Sequence, residues 1–215
     1  ISSTQIDMAL TELFAPATAA ADGDFDRLMV PFLCVASDMN HRGPVVMRRG
    51  DLSEAVRSSM SIPLVFKPMK VDSMLLYDGG IYDNFPWKPL DRDFRPDVIV
   101  GSICMLAMHD TDYTLPEERS VTIRRAVDVN MLDFDQAEAI MDAGYEDAMA
   151  AMPQLLEKVG ERRDSAYYAE RREAFRAKCP PLIFNDYKLE GLKRTQREYR
   201  SEERRVGKEC RSRWS

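Results

Sequence analysis

Apolar stretches of strand length alternate along this chain with stretches in which apolar residues recur at helical spacing. Strands are short and bounded by turn residues, whereas helices are longer and begin at capping residues. This alternation predicts an α/β fold built from packed layers. The predicted strands are residues 29–37, 44–48, 70–77, 98–100 and 121–129.

Helices are predicted in the intervals between these strands. One lies within residues 1–20, and a second begins at Asp51, whose spacing to Glu54 is that of a capping box. A long helix is predicted from Asp133, with Gln136 completing its cap and Pro153 kinking or restarting it. A strongly charged helix is predicted at residues 162–178. The long helix has a Met-rich stripe that is predicted to pack in the core: Ile140, Met141, Ala148, Met149, Met152, Leu155, Leu156 and Val159.

The predicted strand at 70–77 ends on a carboxylate followed by two glycines, Asp78-Gly79-Gly80. Open α/β sheets place their chemistry at the carboxyl ends of strands, so Asp78 is the first candidate for a functional side chain. The glycines allow a positive φ and the close approach of another group. Pro86 is predicted to hold Phe85 extended and to prevent a helix from starting there.

Three short motifs follow one another in the chain: Ser58 to Pro63, Asp78 to Gly80 and Asn84 to Pro86. With the rest of the span from Pro31 to Ser102, they resemble the C-terminal half of the catalytic domain of patatin-like phospholipases, and the resemblance covers most of residues 1–190. It implies a three-layer α/β fold with a mostly parallel sheet, and hydrolysis of acyl esters by a Ser–Asp dyad without a cofactor or metal. Asp78 would be the catalytic base, and the residues supporting its turn would be Gly79, Gly80, Asn84 and Pro86.

A dyad carboxylate must take the serine proton without an intervening histidine. An ordinary Asp has a pKa of about 3.9 and is a poor base for a hydroxyl, so Asp78 needs a dry pocket that raises its pKa. The apolar run 74–77, together with Ile81 and Phe85, could supply that pocket.

The Gly-x-Ser-x-Gly string that carries the nucleophile in such enzymes does not occur in this sequence, nor does the family's Gly-rich oxyanion loop. In the family both precede the matched region, and the chain begins with Ile1 rather than Met. We therefore expect a domain truncated at its N-terminus, with the nucleophilic serine in the missing half. Ser58, Ser59 and Ser61 stand at a helix end before a proline, which predicts structural roles for them.

Other roles remain open for the same residues. Asp78 could simply cap a tight turn. Asp78, Asp83 and Asn84 could bind a cation, although their spacing departs from that of a calcium loop. A Ser-His-Asp triad could use His41 or His109, both of which lie in polar loop sequence and are expected to be solvated.

The charge of the chain argues against nucleic acid as a partner, because the net charge is −6. Residues 200–215 resemble a translated sequencing adapter and are basic overall, so the rest of the chain is more acidic still. No apolar run approaches the length of a membrane helix. Cys34, Cys104 and Cys179 are predicted to be buried free thiols.

We expect residues 1–179 to be the C-terminal part of a hydrolase domain, 180–199 to begin a POTRA-like module after Pro180-Pro181, and 200–215 to be non-native. In some bacterial patatin-like proteins, such a module links the hydrolase to an outer-membrane β-barrel. Two function classes remain. The first is a hydrolase acting on lipid or phospholipid esters at a membrane surface, and the second is a non-catalytic module attached to such a barrel. The expected location is the bacterial cell envelope, with the cytoplasm as the alternative.

Overall fold

The structure is a computed structural model that describes residues 3–103, 112–125 and 136–183. Residues up to Pro181 form one compact unit. Helices and strands both occur in it, as an α/β protein requires. The described elements are α1 (Thr4–Ala20), β1 (Cys34–Asp38), β2 (Gly43–Met47), α2 (Leu52–Ser59), β3 (Met69–Val71), β4 (Met74–Asp78), α3 (Trp87–Phe94), β5 (Ile99–Ile103), β6 (Ser120–Arg124), α4 (Ala137–Lys158) and α5 (Ser165–Arg176).

The larger sheet has the strand order β2-β1-β4-β3, and every pairing in it is antiparallel. Among the described strands, only β5 and β6 pair in parallel. The prediction of a mostly parallel sheet is therefore not confirmed. The reason lies in the connections: short links join β1 to β2 and β3 to β4, and a short link can only fold two strands back on each other.

The predicted strand 70–77 is in fact two strands. A turn at Asp72-Ser73 separates β3 from β4, and Asp72 has a left-handed backbone with a φ of 53°. Asp tolerates this conformation better than most residues, which makes it a common turn residue. The apolar run on both sides of the turn concealed it in the sequence.

The core lies between the larger sheet and α2. It is formed by Phe25, Cys34, Ala36, Met47, Leu52, Ala55 and Leu76. As predicted, α2 starts directly after Asp51, whose carboxylate accepts hydrogen bonds from the backbone N–H groups of Ser53 and Glu54. The prediction of a buried free thiol is confirmed for Cys34, and burial raises its pKa to about 12. Cys179 is also free but only partly buried, and Cys104 lies outside the described residues.

Strand β5 has one buried and one exposed face. Ile99 and Ile103 are buried, whereas Val100 is 49% exposed, so the apolar run predicted as a strand at 98–100 is buried on one face only. The paired β6 has no third strand beside it among the described residues, and residues 126–129 of the predicted strand lie outside them. Gly101 is required for packing, because a Cβ there would lie 2.6 Å from the ring of Phe85.

Helix α3 begins immediately after Pro86, so the prediction that Pro86 prevents a helix is wrong. A helix can begin there because its first N–H groups have no intrahelical partner, and a proline that lacks this group costs nothing. Helix α4 continues through Pro153. Its predicted start at Asp133 lies outside the described residues.

The Met-rich stripe of α4 is not core. Met141 is 73% exposed and Met149 is also exposed, and most of the other stripe residues are only partly buried. Helix α4 packs on β6. On that side Asp147 pairs with Arg125. The predicted charged helix corresponds to α5, which begins after the capping carboxylate of Asp164. None of the described helices is long and apolar enough to cross a bilayer. Residues after Ile183 lie outside the described residues. They include most of the predicted POTRA-like segment and the whole of the predicted tail.

Candidate active site

Asp78 lies at the carboxyl end of β4, and a short 3₁₀ turn over Gly79–Ile81 follows it. Its Oδ1 accepts a hydrogen bond of 2.8 Å from the backbone N–H of Gly80. Asp78 thus caps the turn, which is one of the roles that the sequence left open. Capping does not exclude a role as a base, because this bond orients the carboxylate and involves Oδ1 alone.

The two glycines are needed for close approach and not for a special backbone conformation, since neither adopts a positive φ. A Cβ on Gly79 would lie 2.4 Å from the carbonyl oxygen of Val35 on the neighbouring strand. A Cβ on Gly80 would lie 2.7 Å from Oδ1 of Asn84 and 3.0 Å from Oδ1 of Asp78. Any side chain at either position would displace the turn or the carboxylate.

The three sequence motifs meet at this turn. The backbone N–H of Asp78 donates to the carbonyl oxygen of Ser61 at 3.0 Å, which ties the first motif to the second. The side chain of Asn84, from the third motif, lies against Gly80. Pro86, which completes that motif, is the residue from which α3 begins. Three separate segments of the chain therefore fix the position of one carboxylate.

The serines of the first motif bond to the backbone. Ser58 and Ser61 are fully buried and donate to the carbonyl oxygens of Glu54 and Arg57, respectively. Ser59 donates to the carbonyl oxygen of Val35 at 2.7 Å. These contacts agree with the structural roles predicted for them.

Burial also sets the electrostatics of the turn. Removal from water raises the pKa of the Asp78 carboxyl, and the hydrogen bond from Gly80 opposes this only in part. The pKa of Asp83 is raised for the same reason, against the hydrogen bond from Phe85 and the nearby Lys88 ammonium. A carboxylate with a raised pKa binds a proton more readily, which is what a general base needs.

Sequence reasoning missed a second acidic group, Asp38 at the end of β1. Its side chain is 2% exposed and contacts Nδ1 of His41. The hydrogen bond from His41 lowers the pKa of Asp38. His41 is largely solvent-exposed, as predicted, but it is held by a buried carboxylate. The signal was present as an Asp-x-x-His spacing directly after a buried strand; His109 lies outside the described residues.

Tyr113 is the other neighbour that the motifs did not indicate. Its ring lies 5.4 Å from that of Phe85, and its hydroxyl oxygen lies 3.5 Å from Nδ2 of Asn84. The adjacent Asp112 accepts a hydrogen bond from the indole of Trp87 through its carbonyl oxygen. Residues 112–113 therefore pack against the third motif.

Within the described ranges, no group of three or more His, Cys, Asp or Glu side chains is placed to hold a metal ion. A cavity of about 520 Å³ lies elsewhere, between β2 and the start of α2, with Glu54 and Met74 in its wall. The Asp78 carboxylate is thus a candidate general base, and it lies in a turn at a strand end of an α/β protein.

Comparison with known proteins relates one segment of the chain to a family. Residues 19–91 match the family model described as patatin-like phospholipase. An uncharacterized NTE family protein of Mycobacterium tuberculosis is 42% identical over 65 residues, which are 30% of this chain and 18% of that protein. A second one from the same organism is 38% identical over 68 residues, or 32% of this chain and 12% of that protein.

A lysophospholipase of Cryptococcus neoformans is 32% identical over 74 residues, which are 34% of this chain and 5% of that protein. The chain thus spans less than a fifth of the length of each of these relatives. The segment that matches the family model covers residues 19–91, about a third of the chain. It contains Asp78 and all three motifs.

Proposed function

We propose that this chain is part of a lipid acyl hydrolase of the phospholipase A or esterase type. In this proposal Asp78 is the base of a Ser–Asp dyad, and the nucleophilic serine is supplied by residues outside this sequence. The observation that supports it is the partly buried Asp78 carboxylate, with its raised pKa, held at a strand end by three motifs of the family. One similar protein is named a lysophospholipase, which fits a lipid ester as substrate.

In such a dyad the carboxylate accepts the serine proton as the hydroxyl oxygen attacks the ester carbonyl, and then passes this proton to the leaving alcohol. The contact between Asp78 Oδ1 and Gly80 fixes the rotation of the carboxylate. The lack of a side chain on Gly79 and Gly80 keeps the turn compact against Val35 and Asn84. The proposal also includes action at a membrane surface in the bacterial cell envelope, where lipid esters are presented.

The test uses the longer protein encoded by the intact gene. Asp78→Asn should lower turnover of a phospholipid or nitrophenyl ester by about 10²–10⁴ while leaving the protein folded, because Asn is nearly isosteric but cannot accept the proton. Asp83→Asn is the matched control, since it removes a second carboxylate of the same turn whose pKa is also raised by burial. Near-normal turnover in Asp78→Asn would show that the dyad assignment is wrong.

A second mechanism is favoured by one observation, the pairing of His41 with the buried Asp38. A carboxylate that holds an imidazole in this way resembles the Asp–His part of a Ser-His-Asp triad. His41→Ala separates the two mechanisms, because it should abolish turnover only if His41 is the base. The upstream sequence of the intact gene separates both from the non-catalytic module: a Gly-x-Ser-x-Gly string supports the hydrolase, and its absence supports the module.

A further inference from the structure

Arg57 is an arginine on α2 whose side chain is only 2% exposed. Its Nε donates to Oδ1 of Asp7 at 2.7 Å, and its Nη1 donates to Oγ of Ser61 at 2.7 Å. The guanidinium carbon lies 4.7 Å from the centre of the Phe66 ring. Its Nη2 is buried and has no hydrogen-bond acceptor among the residues that the structure describes.

Such a group is a costly way to stabilise a fold. Burying a charge removes its hydration, and replacing a buried ion pair with apolar side chains is often neutral or stabilising. The unpartnered Nη2 adds a further penalty. The attraction of the partner carboxylate does not fully offset the desolvation penalty of the guanidinium, because Asp7 is 42% exposed and water screens the attraction. The arrangement therefore calls for an explanation other than stability.

The contacts of Arg57 lead to the candidate base through one residue. The Ser61 hydroxyl accepts from Arg57 Nη1 and donates to the Arg57 carbonyl oxygen, so two hydrogen bonds fix Ser61 to the helix. The carbonyl oxygen of Ser61 in turn accepts the backbone N–H of Asp78 at 3.0 Å. The end of β4, from which the carboxylate projects, is thereby anchored to a rigid guanidinium.

We propose that Arg57 is a positioning residue for Asp78, acting through Ser61. Arginine suits this task because its planar fork can bond Asp7 and Ser61 at once in a fixed geometry, which a lysine ammonium cannot reproduce. The proposal rests on the proposed function, since it assigns Arg57 to the same site. It adds that the position of the base depends on an arginine that does not touch it.

The test measures Asp78 directly in this 215-residue chain. Ser61→Ala removes both side-chain bonds to Arg57 but keeps the carbonyl that Asp78 needs. The loosened turn should admit water, so the Asp78 pKa, followed by carboxyl NMR, should fall toward its ordinary value. Exchange of the Asp78 amide hydrogen should accelerate about tenfold.

Ser58→Ala is the matched control. Ser58 is as buried as Ser61, and its hydroxyl also donates to a carbonyl oxygen four residues earlier, that of Glu54. Unlike Ser61, it does not accept a hydrogen bond from the Arg57 guanidinium. This variant should leave both readouts unchanged. Arg57→Lys should shift both in the same direction as Ser61→Ala, and the double variant should add no further shift if the two residues act in one path. If Arg57→Lys does not fold, the two serine variants decide the matter.

An unchanged Asp78 in Ser61→Ala, or equal shifts in Ser61→Ala and Ser58→Ala, would overturn the positioning role. That outcome leaves the proposed function intact, because the function is tested separately by Asp78→Asn in the longer protein. Conversely, if the Asp78→Asn enzyme is active, the assignment of Asp78 as the base is wrong. The effect of Arg57 on the position of Asp78 is measured independently of that result.

Discussion

Asp78 meets two demands that oppose each other. It caps a turn, for which an ionised oxygen is a good acceptor, and it is partly buried, which disfavours the charge. Such a desolvation penalty on a charged group is common at functional sites, where a group has a perturbed pKa at a cost in stability. The cost should be visible as a dependence of stability on pH.

We predict that Asp78→Asn raises the melting temperature near neutral pH. Burial raises the folded pKa of Asp78 above its usual value, so the folded state loses stability as the pH rises from that usual value through the raised pKa. Asn keeps an acceptor for the Gly80 N–H without the charge. It should stabilise the protein at pH values above the raised pKa of Asp78. It should not do so at low pH, where Asp78 is protonated in both the folded and the unfolded state. Thermal melts at several pH values measure this.

Asp38→Asn provides the opposite sign as a control. His41 lowers the Asp38 pKa, so this carboxylate contributes stability above its ordinary pKa that is lost as the pH falls through the folded value. Its replacement should therefore lower the melting temperature near neutral pH. A drop in both variants would mean that burial does not dominate at Asp78.

Gly79→Ala should destabilise the chain by about 1–3 kcal/mol, because a Cβ 2.4 Å from the Val35 carbonyl forces two backbone segments apart. Gly43→Ala is the control: Gly43 also lies beside β1, on β2, but nothing is within 4 Å of a Cβ there. Urea unfolding of both variants gives the comparison. Equal stability of the two would show that the turn can relax around a methyl group.

Single residues of the site were predictable where their type carries the chemistry. Asp78 was identified from a carboxylate that follows an apolar run, and its partners Gly79 and Gly80 from their lack of a side chain. Asp38 was not identified, because the Asp-x-x-His spacing that would indicate its pairing with His41 was not recognised as a signal. Tyr113 was missed for a similar reason, since its contact with Phe85 depends on how distant segments pack.

Among the elements, α2 links the core to the site: its first turn is capped by Asp51, and the residues that follow its last turn hold Asp78. Its packing on β1, β3 and β4 makes its integrity a condition for the whole sheet. The prediction of this helix succeeded because a cap, an apolar face and a following proline all agree.

Asp51→Ala should lower the free energy of unfolding by about 1 kcal/mol, since it leaves the N–H groups of Ser53 and Glu54 without their acceptor. Asp164→Ala removes the equivalent cap of α5, a helix without buried residues. It should therefore change global unfolding much less. Denaturant titration of the two variants compares the same chemistry on a core helix and on an exposed one, and a larger loss in Asp164→Ala would contradict this ranking.

The errors in the elements have local causes. The β3–β4 turn was not recognised in the sequence because only two polar residues, Asp72 and Ser73, separate the apolar residues of the two strands. The exposure of Met141 on α4 was not predictable, because the helical period identifies an apolar stripe without showing whether a partner covers it.

For the molecule as a whole, the direction of strand pairing was the least predictable property. Apolar runs indicate where strands lie, but the antiparallel order β2-β1-β4-β3 follows from short connections and from pairings between strands distant in sequence. Ala36 pairs with Asp78, for example, across about forty residues. The strand end at Asp78 and the turn after it were nevertheless predicted correctly, because an apolar run followed by Asp-Gly-Gly is a local signal.

The chain of 215 residues should not hydrolyse esters by itself. The sequence has no Gly-x-Ser-x-Gly string, and Ser37, Ser58 and Ser61 are fully buried, with their hydroxyls bonded to the protein. A base without a nucleophile and oxyanion donors lacks the groups that supply most of the rate in acyl transfer. Hydrolysis of a short-chain nitrophenyl ester by the purified chain, with and without an active-serine probe, measures this. Turnover that the probe abolishes would place the nucleophile within these residues, and mass spectrometry of the labelled serine would then identify it.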